Sequence, residues 1–261
     1  MDAKRAEGLA EGRLDTGDLT SGERAIETLV RKSVRMPGQL APADLESLFR
    51  LFGVGGTFEL VGKFGFFHFI NRIADLVGIQ NDMPLIQPVL RWPRILGIRM
   101  VAWTFRNGFN LENQLHDPDA ASLLREIEAI RGAPLCPGYS GMHEAPGAAA
   151  SVYALTRVLP SFDPALAARV EAAVAQSLPQ CEQEWIGFHP RPTDPLDALV
   201  FVGTRYAVRT TDAMVDAVRA KYGWDDGELT DVFYLIAVHN TLQRLDRLLA
   251  TSLPECTERV A

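Results

Sequence analysis

The sequence predicts an all-α fold, and three observations support that prediction. Strand-like alternation of apolar and polar residues is almost absent from the 261 residues. Apolar residues recur instead at helical spacing, in segments that begin at capping residues and end at glycine or proline. One helical pattern also occurs twice, first within the first 80 residues and again near the carboxyl end.

The first third of the chain contains three predicted helices behind a polar leader. Thr20 and Glu23 have the spacing of a capping box, which marks the start of the first helix. Gly53 ends the second helix, because glycine readily takes the left-handed conformation that follows a helix. The predicted elements are a flexible lead-in over 1–19 and helices over 21–36, 42–52 and 57–77.

The rest of the chain is predicted from the same boundary signals. Prolines in PLIQPVLRWPRILGIRMVAWTFRNGF divide that segment into short helices that lead into one longer helix. The loop GAPLCPGYSGMHEAPG is the least regular stretch. The remaining predicted helices cover residues 120–131, 148–159, 163–178, 196–209, 212–222 and 228–249.

The repeated pattern consists of two helices, a glycine and a long apolar helix. An offset of 172 residues aligns the two long helices at six positions: Ile70 with Leu242, Ile73 with Leu245, Leu76 with Leu248, His68 with Asn240, Asn71 with Gln243 and Arg72 with Arg244. Chance similarity between amphipathic helices is the alternative explanation. We interpret the pattern as a duplication, whose two long helices are expected to pack together about a pseudo-twofold axis. It divides the chain into a first repeat (20–80), a central helical segment (81–193) and a second repeat (194–255).

Two segments of the repeats carry a family likeness. They are FFHFINRIADLVG after LFGVGG, and YGWDDGELTDVFYLIAVHNTLQRLDRLLATSLPE near the carboxyl end. These segments resemble the carboxymuconolactone decarboxylase and alkylhydroperoxidase D-like superfamily over roughly residues 20–80 and 194–255. The second copy departs from the family's ending, because Arg247 stands where the first copy has Asp75. The resemblance implies an all-α, usually oligomeric and mostly cytoplasmic protein, and the family includes thiol-dependent peroxidase partners and cofactor-free lyases.

A polar stripe on the first long helix is the first candidate site. Its members fall in one narrow sector of a helical wheel and are His68, Asn71, Arg72 and Asp75. Buried charge is costly unless it is paired and hydrogen-bonded, so the stripe must face polar partners or a wet cavity. The matching stripe of the second copy is formed by Asn240, Gln243, Arg244 and Arg247.

The stripe has a structural and a functional interpretation. In the first, an arginine network fixes the register of the helices or of a subunit interface, a role that the resemblance also implies. In the second, Arg72 or Arg244 holds a substrate carboxylate, with the amides of Asn71 and Asn240 beside it. His68 then acts as acid or base near neutral pH.

A second candidate site lies in the irregular loop. The peroxidase branch of the family uses Cys-x-x-Cys-x-x-x-His, and this sequence has no cysteine pair at that spacing. In CPGYSGMH, Cys136, Tyr139 and His143 occupy the three positions, and CEQEWIGFH is a weaker echo. A plain proline-glycine loop is the alternative reading of the first segment. Without a resolving cysteine, a thiol–disulfide cycle within one subunit cannot close. His239 could be a further acid or base, or a satisfied core histidine.

Composition excludes several classes of function. Because 26 basic and 33 acidic side chains give a net charge of -7, a general nucleic-acid or anionic-membrane binder is disfavoured. The sequence has no signal-peptide core and no apolar run of membrane-spanning length, which predicts a cytoplasmic protein. Its three scattered cysteines favour reduced thiols. It has no phosphate-binding glycine loop, nucleophile elbow or zinc-type cluster, so neither a cofactor nor a metal is predicted.

The leading hypothesis is therefore a cofactor-independent enzyme of the lyase, isomerase or decarboxylase type. Its substrate is expected to be a small carboxylated or apolar molecule, and the protein is expected to form homo-oligomers. Two alternatives stay open. One is a non-catalytic helical protein with a degenerate site that serves oligomerisation or partner binding, and the other is a single-cysteine peroxidase that uses Cys136.

Overall fold

A computed structural model describes residues 19–34, 40–76, 119–178 and 192–250, and the structural statements below concern these ranges. Within them the α-helices α1 to α8 cover Ser21–Val34, Pro42–Leu76, Ala120–Arg131, Pro146–Thr156, Pro164–Ser177, Pro195–Tyr206, Asp212–Tyr222 and Asp226–Leu248. Short 3-10 helices cover Pro137–Glu144, Leu159–Ser161 and Ala207–Arg209. These ranges hold helices and no strand, so the predicted all-α class is confirmed for them.

The helix boundaries follow the capping signals in the sequence. At the start of α1, Thr20 N donates to Glu23 Oε2 at 2.8 Å and Glu23 N donates to Thr20 Oγ1 at 3.2 Å, which is the predicted capping box. A second capping box, formed by Asp225 and Glu228, begins α8. Gly223 ends α7 in the left-handed conformation with a φ of 71°.

One predicted boundary differs from the structure. The helices predicted over 42–52 and 57–77 are joined in α2, which is kinked at Gly53. Gly53 takes a φ of 69° and a ψ of 176°, so it interrupts the helix as predicted, but a new helix starts at once. Thr57 Oγ1 donates to Gly53 O at 2.7 Å and so bridges the first turn after the kink. The lead-in up to residue 18, the short helices and the longer helix predicted over 84–109, and CEQEWIGFH lie outside the described residues.

Two hydrophobic cores share the last helix. The first core packs α1, α2, α3 and α4 against the carboxyl-terminal half of α8, from Val238 to Leu249. The second core packs α5, α6 and α7 against the amino-terminal half of α8, from Leu229 to Ile236. Near the point where these stretches adjoin, directly after Val238, α8 carries the buried polar residues His239, Asn240 and Thr241. The polar residues therefore lie where the two cores meet.

Helix α2 packs closely against α4 and α8. A methyl group added at Gly62 would lie 2.5 Å from Ala148 Cα, and one at Gly65 would lie 2.9 Å from Leu245 Cδ1. Glu59 on α2 also accepts hydrogen bonds from the first backbone amides of α4, at 2.8 Å from Gly147 N. The two glycines and the Glu59 cap therefore keep α2 close to α4 and α8, and α2 and α8 carry the polar residues.

No helix in the described ranges combines the length and the apolar character that crossing a membrane requires.

Candidate functional site

The predicted stripes meet in the interior and form a polar seam, defined here as His68 and Arg72 on α2 with Asn240 and Arg244 on α8. His68 Nε2 pairs with Asn240 Oδ1 at 3.1 Å, and Arg244 Nε donates to the same oxygen at 2.8 Å. His68 and Asn240 are one of the pairs that the 172-residue offset aligned. The two long helices thus contact each other at one of the matched pairs, while the duplication itself stays a prediction.

Arg72 extends the polar seam to α6. Its Nη1 donates to Thr204 O at 2.9 Å and also to Gly203 O. Both carbonyls belong to the last turn of α6, where a helix has no amide partners of its own and carries the negative end of its dipole. Asn240 Nδ2 donates to Thr204 O as well, at 3.2 Å. The Arg72 guanidinium and the Asn240 amide therefore both donate to the carboxyl end of α6. These hydrogen bonds fix the positions of α2, α6 and α8 relative to one another.

Only part of the first stripe enters the polar seam. Asn240 is fully buried and Arg244 is 7% exposed, whereas Asn71 and Asp75 are exposed. Asn71 precedes Arg72 and so lies about 100° away around the helix, which turns it from the partners that Arg72 reaches. Of the predicted substrate-binding residues, the structure brings Arg72, Asn240 and Arg244 together and leaves Asn71 at the surface.

The polar seam is closely filled. Burial, followed by the charges of Arg72 and Arg244, lowers the pKa of His68 well below its ordinary value, against a raising effect of the Asn240 hydrogen bond. His68 is consequently neutral at neutral pH. The cavity beside it measures about 10 Å³ and is bordered by Thr241 among others. That volume suits about one water molecule and no substrate.

Residues of the second predicted site lie around Asp246, which was not among the predicted site residues. Tyr139 is buried and its hydroxyl donates to Asp246 Oδ1 at 3.1 Å. Cys136 Sγ lies 3.3 Å from Leu249 O and 3.6 Å from Asp246 O, as a donor to both. His143 is exposed in the same loop. The structure therefore joins Cys136 and Tyr139 through α8, and it places His143 at the surface.

The thiol and the phenol of this loop are both held in their protonated forms. Burial, with the charge of Asp246, raises the pKa of Cys136 above its ordinary value. The same two causes, in the same order, raise the pKa of Tyr139 well above 10.0. A protonated thiol is a poor nucleophile, because the thiolate is the reactive form.

Asp246 also binds Arg131 from α3. Arg131 Nη1 and Nη2 donate to its two oxygens at 3.0 and 2.5 Å, a bidentate pair whose side chains are 19% and 28% exposed. Burial alone would lower the pKa of Arg131, but the hydrogen bonds and charge of Asp246 outweigh it and raise the pKa. The sequence carried one signal that could have pointed to this cluster, namely the spacing of residues on α8. His239, Leu242 and Asp246 follow one another by three and four residues, so they share one helix face.

That face of α8 borders an open cleft between α3 and α5, which we call the α8 cleft. Its volume is about 290 Å³. The residues that give it its chemistry are Arg131, Glu171, His239, Leu159, Phe162 and Leu242. The lower limit for ligand pockets is near this size, and such pockets are mainly apolar with few polar groups. The α8 cleft has the dimensions of a small-molecule site.

His239 is the unusual residue of the α8 cleft. It is 6% exposed, and its Nε2 has no hydrogen-bond partner within the described residues. Burial, with the nearby charge of Arg131, lowers the pKa of His239 to about 4. His239 is buried, as the core-histidine alternative predicts, but its Nε2 is not hydrogen-bonded to any residue that the structure describes. An unpaired buried polar atom costs free energy, which a bound ligand would recover.

Across the part of the chain that is described, no group of three or more histidine, cysteine or acidic side chains is arranged to hold a metal ion. No family model, no curated protein and no solved structure matches the chain. The resemblance drawn from the two repeat segments therefore stays a prediction.

Proposed function

We propose that the protein is a cofactor-independent enzyme that transfers a proton on a small carboxylated or apolar substrate, with its site in the α8 cleft. One observation carries the proposal: a neutral His239 whose Nε2 lacks a partner borders the α8 cleft, which is large enough for a small substrate. A general base must be unprotonated and within reach of the proton that it removes. The seam histidine His68 is unprotonated as well, but its cavity has no room for a substrate.

The charge of Arg131 suits this role. Burial, followed by this charge, lowers the pKa of His239, so the free imidazole is a weak base that requires a substrate with an acidic proton. Asp246 fixes the guanidinium through two hydrogen bonds. The reaction class that follows is proton removal next to a carbonyl or a similar activating group.

The polar seam takes a structural role in this proposal. Arg72, Asn240 and Arg244 tie α2, α6 and α8 together, and they turn the opposite face of α8 toward the α8 cleft. A change in the polar seam is then expected to lower stability first, and activity only as far as the folded fraction falls.

Exchange of substrate protons for solvent deuterium tests the proposal without a known reaction. The protein is incubated in D₂O with a panel of small keto acids, lactones and apolar ketones, and deuterium uptake is followed by NMR. We expect His239→Gln to slow exchange at least about 100-fold, the usual contribution of a general base. His68→Gln serves as the matched control, because it changes the histidine of the polar seam. Unchanged exchange in His239→Gln would refute the proposed role.

A second candidate function is a non-catalytic protein that oligomerises or binds a partner. It is favoured by the complete internal bonding of Asn240 in the polar seam and by Phe67 on α2, which is 46% exposed. In this case Phe67→Glu lowers the mass measured by light scattering, and His239→Gln changes neither mass nor any ligand response. The single-cysteine peroxidase is the weakest candidate, because the raised pKa of Cys136 disfavours its thiolate.

A further inference from the structure

The α8 cleft is surrounded by apolar side chains and offers few polar contacts. Leu159 and Phe162 form one side, at the 3-10 turn before α5, and Ala168 and Leu242 contribute from α5 and α8. Apolar walls favour a ligand with a mainly apolar body, since each buried CH₂ group contributes about 0.8 kcal/mol. The polar residues of the α8 cleft therefore decide which functional group the ligand carries.

The charges in the α8 cleft do not favour an anionic ligand. Arg131 is already bound bidentately by Asp246, and this pair has no net charge. The remaining ionic residue is Glu171, which is exposed and lines the α8 cleft. A ligand carboxylate would compete with Asp246 for the guanidinium and would be repelled by Glu171. An uncharged ligand meets neither obstacle.

His239 specifies the polar group of the ligand. Its Nε2 is closed to solvent and has no partner in the described residues. The imidazole must therefore turn to present Nε2 to a ligand in the α8 cleft, and the hydrogen bond then formed removes an existing penalty. A neutral imidazole nitrogen donates or accepts according to its tautomer. A hydroxyl group both donates and accepts, and it therefore fits Nε2 in either tautomer.

We infer that the α8 cleft binds an uncharged, mainly apolar molecule whose single hydroxyl group hydrogen-bonds to His239 Nε2. The volume of about 290 Å³ corresponds to roughly ten non-hydrogen atoms, at the space that one water molecule takes in the liquid. Small phenols and aromatic alcohols have this size and chemistry. The inference rests on the proposed function for the position of the site, and it concerns which class of molecule binds there rather than the compound that undergoes proton transfer.

Three related probes test the inference on the full-length protein: 4-ethylphenol, 4-ethylbenzoate and ethylbenzene. Their affinities are measured by ligand-observed NMR titration. We expect 4-ethylphenol to bind about tenfold more tightly than ethylbenzene, which is the gain from one buried hydrogen bond. The anionic 4-ethylbenzoate is expected to bind more weakly than 4-ethylphenol. Equal or tighter binding of the benzoate, or no binding of the phenol, overturns the inference.

Two substitutions locate the binding. His239→Phe is expected to remove the preference for the phenol over ethylbenzene, because the ring remains while Nε2 is lost. Ala168→Trp fills the α8 cleft from an exposed position of α5 and is expected to abolish binding of all three probes. Ala175→Trp is the matched control, since Ala175 is exposed on the same helix two turns away. Binding that survives Ala168→Trp overturns the inference.

The outcomes also separate this inference from the proposed function. Phenol binding at the α8 cleft without deuterium exchange in any panel compound supports the inference and refutes the catalysis. Exchange that depends on His239, in a protein that rejects the phenol, supports the catalysis and overturns the inference.

Discussion

Replacing Asn240 by alanine tests the polar seam directly. Asn240 is fully buried and makes three hydrogen bonds: Oδ1 pairs with His68 Nε2 at 3.1 Å and accepts from Arg244 Nε at 2.8 Å, and Nδ2 donates to Thr204 O at 3.2 Å. Alanine removes all three. Arg72 retains its own bond to Thr204 O, so the loss is confined to the partners of the amide.

The expected loss follows from the kinds of bond removed. A hydrogen bond to a charged group contributes about 1.5–3 kcal/mol and a neutral one about 0.5–1.5 kcal/mol. The higher helix propensity of alanine offsets roughly 0.6 kcal/mol of this loss in the free energy of unfolding. Asn240→Ala should therefore lower the free energy of unfolding by about 3–4 kcal/mol. For a chain of this length the melting temperature falls by on the order of 10 °C.

Urea denaturation at pH 7, followed by circular dichroism, measures this loss. Asn71→Ala is the matched control: it makes the same substitution on the helix that faces Asn240, at an exposed site. The control should unfold within about 0.5 kcal/mol of the parent, as surface substitutions do. If Asn240→Ala unfolds at the same urea concentration as Asn71→Ala, the polar seam contributes nothing to stability and the reasoning is refuted.

Three further predictions concern other parts of the molecule. His239 binds a proton less readily in the folded state, with a pKa of about 4, than in the unfolded state, near 6.5. Its contribution to stability is complete above pH 6.5 and is lost as the pH falls toward 4. The free energy of unfolding should therefore fall by about 2 kcal/mol between pH 7 and pH 5. Urea denaturation should show a smaller fall in His239→Gln, and an equal fall would contradict the lowered pKa of His239. Gly62→Ala should cost about 1–3 kcal/mol, because the new methyl group would lie 2.5 Å from Ala148 Cα. Gly22→Ala, at ordinary contact distance in α1, should instead stabilise by roughly 0.5–1 kcal/mol, and equal melting temperatures would contradict this packing. In a variant whose only cysteine is Cys136, a thiol reagent at pH 7 should react several-fold more slowly with the folded than with the unfolded protein, and an equal rate would contradict the raised pKa.

Local signals in the sequence were sufficient for most of the helices. Thr20 with Glu23 marked the start of α1, and Gly223 marked the end of α7, because caps depend on residues within one turn. The kinked union at Gly53 was not predicted. A glycine shows that a helix can be interrupted, but whether another begins at once depends on how α2 packs.

The candidate site was predicted less completely than the helices, for a related reason. The internal alignment carries long-range information, and it offered the matching stripe as one of two possible surroundings for His68; the structure shows the contact with Asn240. The pairing of Arg131 with Asp246 had no such signal, because it joins residues 115 positions apart in unrelated segments. Spacing on α8 could have placed His239 and Asp246 on one face, but the α5 wall of the α8 cleft depends on tertiary structure.

The sharing of α8 between two hydrophobic cores has a consequence for cooperativity. Neither core is complete without this helix, so neither group of helices can open while the other stays intact. Backbone amides in the middle of α8 should exchange with solvent only when the whole chain unfolds, at the slowest rate in the protein. Calorimetry should accordingly show a single transition, and two separate transitions would mean that α8 does not couple the halves.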